Sequence, residues 1–289
     1  MPVGGRAPSE GWCRRRAVRD VRTLNYHVDM ANQRDTDEAS SSDIQSVARV
    51  GQICALFGPD TDELTAAEVA ERLGLNRTTA YRYCVSLVAA GILERSSRRG
   101  AFALGGVMLQ LGIHALARRR VITVAPRHLA ALSGSVRLTA VVSIWGARGP
   151  VVALVEEDRS RTMVVTVREG TQLDHTAAQT HVFLAHMTDR ERADYLAESA
   201  SPGQRAEYEA ATTQARSDGF AVVYSSGGLF AVAAPVLDAT GIAATVAVMG
   251  VGPEVDLGAT SPIVTSLVAT ADAIGADLGA HVEESAPSA

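Results

Sequence analysis

Lysine is absent from this 289-residue sequence, and all 27 of its basic residues are arginine. Aromatic residues make up only 4% of the chain, so a core must be built mainly from Ala, Val, Leu and Ile. Hydrophobic residues nevertheless reach 47% against 20% charged residues, which excludes wholesale disorder. At ~150 residues per domain, the length predicts about two domains.

Cysteine is also scarce. Cys13, Cys54 and Cys84 lie far apart, are odd in number and form no CxxC pair. This spacing argues against a disulfide framework or a zinc site and is typical of a protein from the reducing cytoplasm. The first 29 residues hold no apolar stretch of secretory length, so no signal peptide is expected.

Long uninterrupted hydrophobic runs are missing as well. The longest uncharged run lies between Asp218 and Asp238, and Gly227, Gly228 and Pro235 interrupt it. The run therefore predicts two buried strands around a turn and no membrane helix.

Motifs that carry catalysis are not found. The sequence has no GxSxG, no Walker loop, no HExxH and no GxGxxG after a predicted strand. His175, His181 and His186 are close in sequence, but a spacing of five does not put the last two on one helix face. This favours partly exposed surface histidines over a metal site. The sequence thus predicts neither an enzyme nor a bound metal or cofactor.

Charge is distributed unevenly along the chain. Residues 44–120 carry ten arginines and six acidic residues, a net charge of +4, whereas residues 121–289 carry ten and nineteen, a net charge of -9. A small DNA-binding head on a larger acidic body would have this distribution. Uneven surface charge without a function is the alternative.

Both chain ends have the composition of disordered tails. Residues 1–43 are polar, irregular and rich in Arg, Asp and Ser, and residues 283–289 are also predicted to be a tail. Met30 is a second candidate for the start of translation. A basic arm that reaches into a DNA groove is the other interpretation of residues 1–43.

From Ile44 onward apolar residues repeat at helical spacing. Four of them form the expected inner face of a first helix: Val47, Val50, Cys54 and Phe57. A second helix begins at Thr65, which can form a capping box with Glu68. Val69 and Leu73 supply the apolar face of that helix, and the following Gly74 permits a left-handed turn that Leu75 plugs.

A third helix is predicted over residues 77–90, with Asn76 as its N-cap. Its inner face comprises Ala80, Cys84, Leu87 and Val88. Short strands at 92–95 and 101–104 then flank Ser96-Ser97-Arg98-Arg99-Gly100 and predict a hairpin with a basic tip. Helix, tight turn, helix and hairpin describe a winged helix-turn-helix, which binds duplex DNA.

The outer side of the third helix and the hairpin tip supply the candidate DNA contacts. Arginine can bind guanine or phosphate, and hydroxyl groups reach phosphates or base edges. The candidates are Asn76, Arg77, Thr78, Thr79, Tyr81, Arg82, Arg98 and Arg99. An ordinary solvated helix with scattered arginines is the alternative.

These residues also carry a family resemblance. The segments IQSVARVGQICALF and LTAAEVAERLGLNRTTAYRYCVSLVAAGILERSSRRGAFALG closely resemble the N-terminal domain of the IclR family of bacterial transcriptional regulators. The likeness continues, more weakly, through VMLQLG, GTQLDHTAAQTHVFLAHM and DGFAVVYSSGGLFAVAAPVLDATG, so it covers roughly residues 44–282.

The resemblance implies an α+β protein in three parts. A winged helix-turn-helix would occupy residues 44–105, a linker helix 106–120, and an effector-sensing α/β domain with a curved antiparallel sheet 121–282. Members of this family are usually homodimers or dimers of dimers on double-stranded operator DNA. They commonly respond to small organic acids or aromatic catabolites.

The body has strands and helices without strict βαβ alternation, which independently predicts an antiparallel α+β arrangement. Helices are expected at 106–120, 124–133, 176–187, 190–198, 205–217 and 263–278. Strands are expected at 138–145, 151–156, 163–167, 221–224, 230–235 and 243–251. The helix over 106–120 is expected to be amphipathic, with an apolar stripe of Val107, Leu111, Ile113 and Leu116. That stripe suits either a dimer contact or packing within one chain.

The start of the helix near Thr176 is the predicted effector site. Free amides at Thr176, Ala177 and Ala178 would attract a carboxylate. The resemblance implies an effector there and beside the AAPV strand. Several polar positions of the family are replaced in this chain: Ala231 stands where many members have Cys, Met249 and Val251 stand where members often have Ser, and Val223–Ser226 replaces an acidic stretch.

Because an unpaired buried polar group costs ~1–3 kcal/mol, these departures predict a relatively apolar or aromatic organic acid. Tyr224 or Ser225 would hold its other end. A degenerate pocket without a ligand is the alternative.

The predicted function is a cytoplasmic, effector-controlled repressor of a metabolic operon. Two other functions stay open: an enzyme with an appended DNA-binding head, and an oligomer that binds DNA without an effector.

Overall fold

The computed structural model of the protein describes residues 44–160, 164–225, 227–252 and 255–284. The tail predicted at 1–43, with Cys13 and Met30, lies outside them. The tail predicted from residue 283 begins too early, because the last helix runs to Glu284. No helix among the described residues is long and apolar enough to cross a bilayer.

Residues 46–105, called the head below, contain the predicted winged helix-turn-helix. The elements are α1 (Gln45–Cys54), β1 (Leu64–Thr65), α2 (Ala66–Arg72), α3 (Arg77–Ala89), β2 (Leu93–Arg95) and β3 (Ala101–Leu104). The strands form an antiparallel sheet in the order β1-β3-β2. The hairpin β2–β3 is the wing.

Three local signals of the sequence are confirmed in the head. Thr65 Oγ1 accepts a bond from the Glu68 amide, and the Glu68 carboxylate accepts one from the Thr65 amide at 2.6 Å, which completes the capping box. Gly74 has a φ of +62°, a left-handed conformation that favours glycine. Asn76 Oδ1 accepts a 2.7 Å hydrogen bond from the Thr79 amide and so caps α3.

The predicted inner face of α1 is partly wrong. Ile53 is the buried residue of this helix, whereas Val47 is 64% exposed. The helix ends at Cys54, so Phe57 packs on the head core from the following loop. Val50 and Phe57 of the predicted face do pack on the core of the head, but Ile53, which the repeat left out, is the fully buried residue there.

The predicted linker helix is shorter than expected. It forms α4 (Gly106–Ala117), and α5 (Arg120–Val136) begins three residues later. The break lies at Arg119, whose φ of -93° and ψ of 90° are not helical. Arg120 belongs to the second helix, where its guanidinium donates to the carbonyls of Asp277 and Leu278.

Residues 120–284, called the body below, form an open five-stranded antiparallel sheet with helices on both faces. The strand order is β5-β4-β8-β7-β6. The elements after α5 are β4 (Thr139–Gly146), β5 (Gly149–Glu156), α6 (Ala178–His186), α7 (Asp189–Ser199), α8 (Pro202–Asp218), β6 (Ala221–Tyr224), β7 (Leu229–Asp238), β8 (Gly241–Val251) and α9 (Pro262–Glu284). Shifts in register interrupt β4 at Val142/Ser143 and β7 at Val236/Leu237, and such irregularities bend strands.

Alternate residues of the strands face different helices, as the period of two requires. The main core cluster joins Val142, Val232 and Val246 to α5 and α9. The opposite face presents Ala233 and Ala247 to α6 and α8 in a cluster of small side chains. These alanines allow α6 to lie close to the sheet, and residues 178–185 are all buried.

The strand predicted at 163–167 is wrong for the residues that the structure describes there, 164–167, which are not a strand. The outer edge of β5 is instead occupied by residues 170–173. Val152 donates to Thr171 and accepts from Gly170, and the Leu173 amide donates to Pro150. Because this edge is already paired, the preceding residues leave the sheet.

Candidate functional site

The outer face of α3 is free of the head core. Arg77, Thr78, Tyr81 and Arg82 are exposed, and the Tyr81 side chain keeps 50% of its surface accessible. The opposite side of the helix buries Ala80, Cys84 and Leu87, so the predicted division of α3 into two faces is confirmed. Thr79 lies at the border and is half-buried.

The wing presents fewer free cations than its sequence suggests. Arg98 is held by two carboxylates of the head, with Nη2 3.0 Å from Glu68 and Nε 3.7 Å from Glu63. Ser96 donates to the same Glu63 carboxylate. Arg99 is exposed and has no hydrogen bond or ion pair within the described chain. Arg98 therefore orders the wing, and Arg99 extends from its tip.

Arg95 is a cation that the sequence reasoning missed. It lies exposed on β2, with its guanidinium carbon 5.8 Å from the centre of the Phe102 ring. Strand alternation would place Arg95 on the same side of β2 as the buried Leu93, so no pattern in the sequence indicates its exposure.

A cavity of about 380 Å³ lies beside the start of β4 and the end of β8. Its lining residues are Arg137, Leu138, Thr139, Asp158, Ser160, Val164, Val165, Met249, Gly250 and Val251. Apolar and polar side chains contribute about equally, and Asp158 and Ser160 are gathered at Arg137. The volume lies within the range of pockets that hold small organic molecules.

Arg137 organises the polar side of the cavity. It ends α5 in a left-handed conformation with a φ of +60°, which non-glycine residues rarely adopt. Its Nε donates to Asp158 at 2.6 Å, and Nη2 donates to Ser160. Hydrogen bonds from Ser160, followed by the interaction with Arg137, lower the pKa of Asp158 to about 2. Asp158 is thus ionised and neutralises the arginine that faces the cavity.

Comparison with known proteins adds to this geometry. The sequence profile of the IclR helix-turn-helix domain matches residues 46–97, which are the head as far as the tip of the wing. The head is therefore an IclR-type helix-turn-helix domain, the DNA-binding part of that family of transcriptional regulators. No curated protein matches the sequence significantly.

Solved IclR-type structures are similar over most of the chain. A transcriptional regulator from Rhodococcus sp. RHA1 is 29% identical, with a TM-score of 0.61 over 83% of this chain and 100% of that one. HmgR of Pseudomonas aeruginosa is 27% identical, with a TM-score of 0.60 over 81% and 97%. An IclR homologue from Microbacterium hydrocarbonoxydans, complexed with 4-hydroxybenzoate, is 21% identical, with a TM-score of 0.65 over 81% and 98%, and shares the fold.

The IclR effector residues predicted from the sequence do not all meet in the cavity. Met249 lines it, and Ala231 is directly opposite Met249 in the β7–β8 ladder. Ala178 is fully buried and packs with Ala231 in the cluster of small side chains under α6. This cluster of small side chains lies between the start of α6 and β7.

The predicted free amides at the start of α6 are wrong at two of three positions. The Thr176 amide donates to the Asp174 side chain at 2.8 Å, and the Ala177 amide donates to the Asp174 carbonyl at 3.3 Å. An Asx turn has already satisfied these donors, and its carboxylate would repel an anion. Of the three predicted amides, only that of Ala178 has no hydrogen bond within the described part of the chain.

Tyr224 lies on the wrong side of the sheet for the predicted pocket. It is 64% exposed and pairs with Phe230, whose side chain belongs to the core beneath α5 and α9. Side chains alternate along a strand, so Tyr224 and Ala231 face opposite sides. Ser225 follows the end of β6, and its amide donates to Leu229.

Two of the three histidines agree with the surface residues predicted, because His186 is exposed and His175 is half-buried, but His181 differs. His181 is buried, and its Nε2 lies 3.0 Å from the carbonyl oxygen of His175. Burial lowers the pKa of His181. Its ring and that of His175 both contact Tyr208 of α8. Among the described residues, no three His, Cys, Asp or Glu side chains are grouped closely enough to hold a metal ion.

Proposed function

We propose that the protein is an effector-controlled repressor of a metabolic operon, with α3 as its recognition helix. The observation that supports this most is the exposed outer face of α3, where Arg77, Tyr81 and Arg82 lie together on a helix whose other side is buried. Helices of this type enter the major groove and contact base edges and phosphates. The wing, with Arg95 and Arg99, would contact neighbouring phosphates.

Selection of bound genomic fragments, followed by titration of the selected duplex, tests the DNA-binding surface. Arg82→Ala should weaken binding to all duplexes or abolish it. Arg190→Ala is the matched control, because Arg190 is exposed on α7 of the body. Equal affinities for the Arg82→Ala variant and the wild type would remove Arg82 from the interface.

We propose that the active form is a homodimer, or a dimer of dimers, joined in part through α4. This helix has no buried residue, and Leu109, Leu111 and Ile113 are 66%, 58% and 60% exposed. The expected amphipathic stripe is in fact an apolar surface around most of the helix. Such a surface is expected to be covered by protein, and a second copy of α4 is matched to it in length and chemistry.

We propose that the cavity beside Met249 binds the effector, and that this is a small aromatic or similarly apolar acid. The aliphatic part of its lining suits a ring, while Arg137 and Thr139 offer polar contacts. The complex of the Microbacterium hydrocarbonoxydans homologue with 4-hydroxybenzoate supports this class of ligand. Because Asp158 already neutralises Arg137, an acid must compete with that carboxylate, which disfavours short hydrophilic acids.

A calorimetric screen tests the effector proposal. Substituted benzoates, including 4-hydroxybenzoate, should bind, and short hydroxy acids should not. Met249→Trp should fill the cavity and abolish binding, whereas Leu237→Trp, on an exposed part of β7, should not affect it. Binding of short hydrophilic acids alone would contradict the proposal, and no binding at all would favour a regulator without an effector.

Because the proposed partner is operator DNA, the cytoplasm is the proposed place of action.

An enzyme with an appended DNA-binding head is the second candidate, for which the described residues offer no metal-binding group. Turnover that depends on His175 or His181 would favour it.

A further inference from the structure

One short segment reaches from the cavity to the head. Val164 and Val165 line the cavity. Three residues later, Arg168 Nη1 donates to the Pro59 carbonyl at 2.9 Å and to the Asp60 carboxylate. Three residues span at most ~10 Å. Residues 164–170, called the bridging segment, therefore join a wall of the cavity directly to the head of the same chain.

The bridging segment is fastened to the body on either side of Arg168. Thr139, which is buried and lines the cavity, donates its hydroxyl to the Val165 carbonyl. At the other end, the Gly170 amide donates to Val152 at the edge of β5 at 2.8 Å. These two bonds are five residues apart, so a displacement of Val165 reaches Arg168 over a short stretch of chain. Arg168 lies in the middle of them.

The head end of the contact leads to the wing. Pro59 and Asp60 lie in the loop between α1 and β1, which a bridge between Gly58 and Thr61 closes. Three residues after Asp60, Glu63 binds Ser96 and Arg98 of the wing. A continuous series of contacts therefore runs from the cavity through Arg168 and this loop to the β2–β3 hairpin.

We propose that the Arg168–Asp60 contact transmits the state of the cavity to the DNA-binding head. An occupant that moves Val164 and Val165 changes the position of Arg168, and with it the orientation of the head. Arg168 and Asp60 are 66% and 87% exposed, so their attraction is screened by water and salt. A contact of this strength can be made and broken by a small ligand. The inference rests on the proposed function, in which the head binds DNA and the cavity binds the effector.

Distances between head and body test the contact without DNA or effector. Spin labels at Ser86 on α3 and Glu198 on α7, both exposed, report the distance between the head and the body. Labelled chains are mixed with excess unlabelled chains, so that only distances within one chain are measured. Arg168→Glu should broaden the distance distribution, and adding Asp60→Arg should narrow it again. Arg190→Glu is the control, because it breaks an exposed pair with Asp194 within α7 of the body.

The cavity end has its own matched pair of variants. Thr139→Val removes the hydroxyl that holds Val165 and should broaden the same distribution. Thr213→Val removes an equivalent hydroxyl-to-carbonyl bond within α8 and should not. Unchanged distances in Arg168→Glu, or a swapped pair that fails to restore them, would overturn the proposal. An unchanged distribution in Thr139→Val would also overturn it, because the cavity would then not be connected to the head.

Titration of the selected duplex separates this inference from the proposed function. Arg168→Glu should alter operator affinity several-fold, and the swapped pair should restore it. If the wild-type protein bound no DNA, the proposed function would fail, while the distances would still decide whether the contact exists. If DNA binds normally and every variant has the wild-type affinity, the transmission proposal is wrong and the regulator remains.

Discussion

Asn76 combines two demands in one side chain. Its Oδ1 accepts a hydrogen bond from the Thr79 amide and thereby caps the N-terminus of α3. In the proposed function, this end of the helix faces DNA. Aspartate caps helices as well as asparagine does, and its negative charge suits a helix N-terminus. The same charge would repel phosphates.

Replacing Asn76 therefore separates folding from DNA binding. We expect Asn76→Ala to lower the free energy of unfolding of the head by ~1 kcal/mol, because the cap is lost. Asn76→Asp should keep that stability and weaken binding to every duplex. Urea unfolding and duplex titration measure the two effects. Equal DNA affinity for Asn76→Asp and the wild type would place the N-terminus of α3 away from phosphate.

The two arginines of the wing tip should also differ. Arg99 is free to neutralise one phosphate, so Arg99→Ala should reduce the slope of log K against log salt by ~0.9. Arg98 is engaged with Glu63 and Glu68, so Arg98→Ala should change that slope less and destabilise the wing. Duplex titrations at several salt concentrations provide the slopes. The opposite ranking would mean that Arg98 leaves its carboxylates on DNA.

Among the elements, α6 is much more buried than its sequence indicates. Every residue from Ala178 to Ala185 is buried between the sheet and α8, including His181. Asp174, His175, Glu207 and Tyr208 surround its ring, yet burial dominates and lowers its pKa. There is therefore a range of pH in which His181 is neutral in the folded protein and protonated in the unfolded chain.

This burial predicts a dependence of stability on pH. The unfolded histidine takes up a proton as the pH falls through ~6.5, whereas the folded one does not, so stability is full above ~6.5 and declines below it. His181→Gln, which keeps a donor for the His175 carbonyl, should reduce the slope of the unfolding free energy between pH 6.5 and 5. Urea unfolding across this range measures it. A slope unchanged in this variant would assign the dependence to another group, such as His186, whose pKa burial also lowers.

At the scale of the whole molecule, α4 is the proposed contact between two chains. Its leucines stay largely exposed within the described part of a single chain, and two heads on a symmetric operator need a fixed spacing. The assembly and DNA binding should therefore be lost together.

Leu109→Glu should shift the protein toward monomers, because a charge is placed on the apolar surface of α4. Operator affinity should fall, since one head then binds without the other. Gln110→Glu adds the same charge at the neighbouring exposed position and is the control. Sedimentation velocity and duplex titration follow both properties. A Leu109→Glu protein that remains dimeric would locate the dimer interface elsewhere.

The sequence by itself determined the head, because the signals there are local. Thr65 and Glu68, Gly74 and Asn76 each act on partners within three residues, so their hydrogen bonds and turns follow from spacing alone. The order of elements in the body was also predictable from its strand and helix periods. The exceptions were residues 164–167 and the break at Arg119, where pairing at the β5 edge and contacts to α9 prevailed.

Only the tertiary structure decided which side chains meet in the body. Arg137 and Asp158 form one polar side of the cavity although they are 21 positions apart in the sequence. Arg168 likewise contacts Asp60, which is 108 positions away. The start of α6, which resembled an anion site, was instead closed by Asp174 and packed against alanines. Contacts of this kind depend on how strands and helices pack, and no period or cap in a linear sequence specifies them.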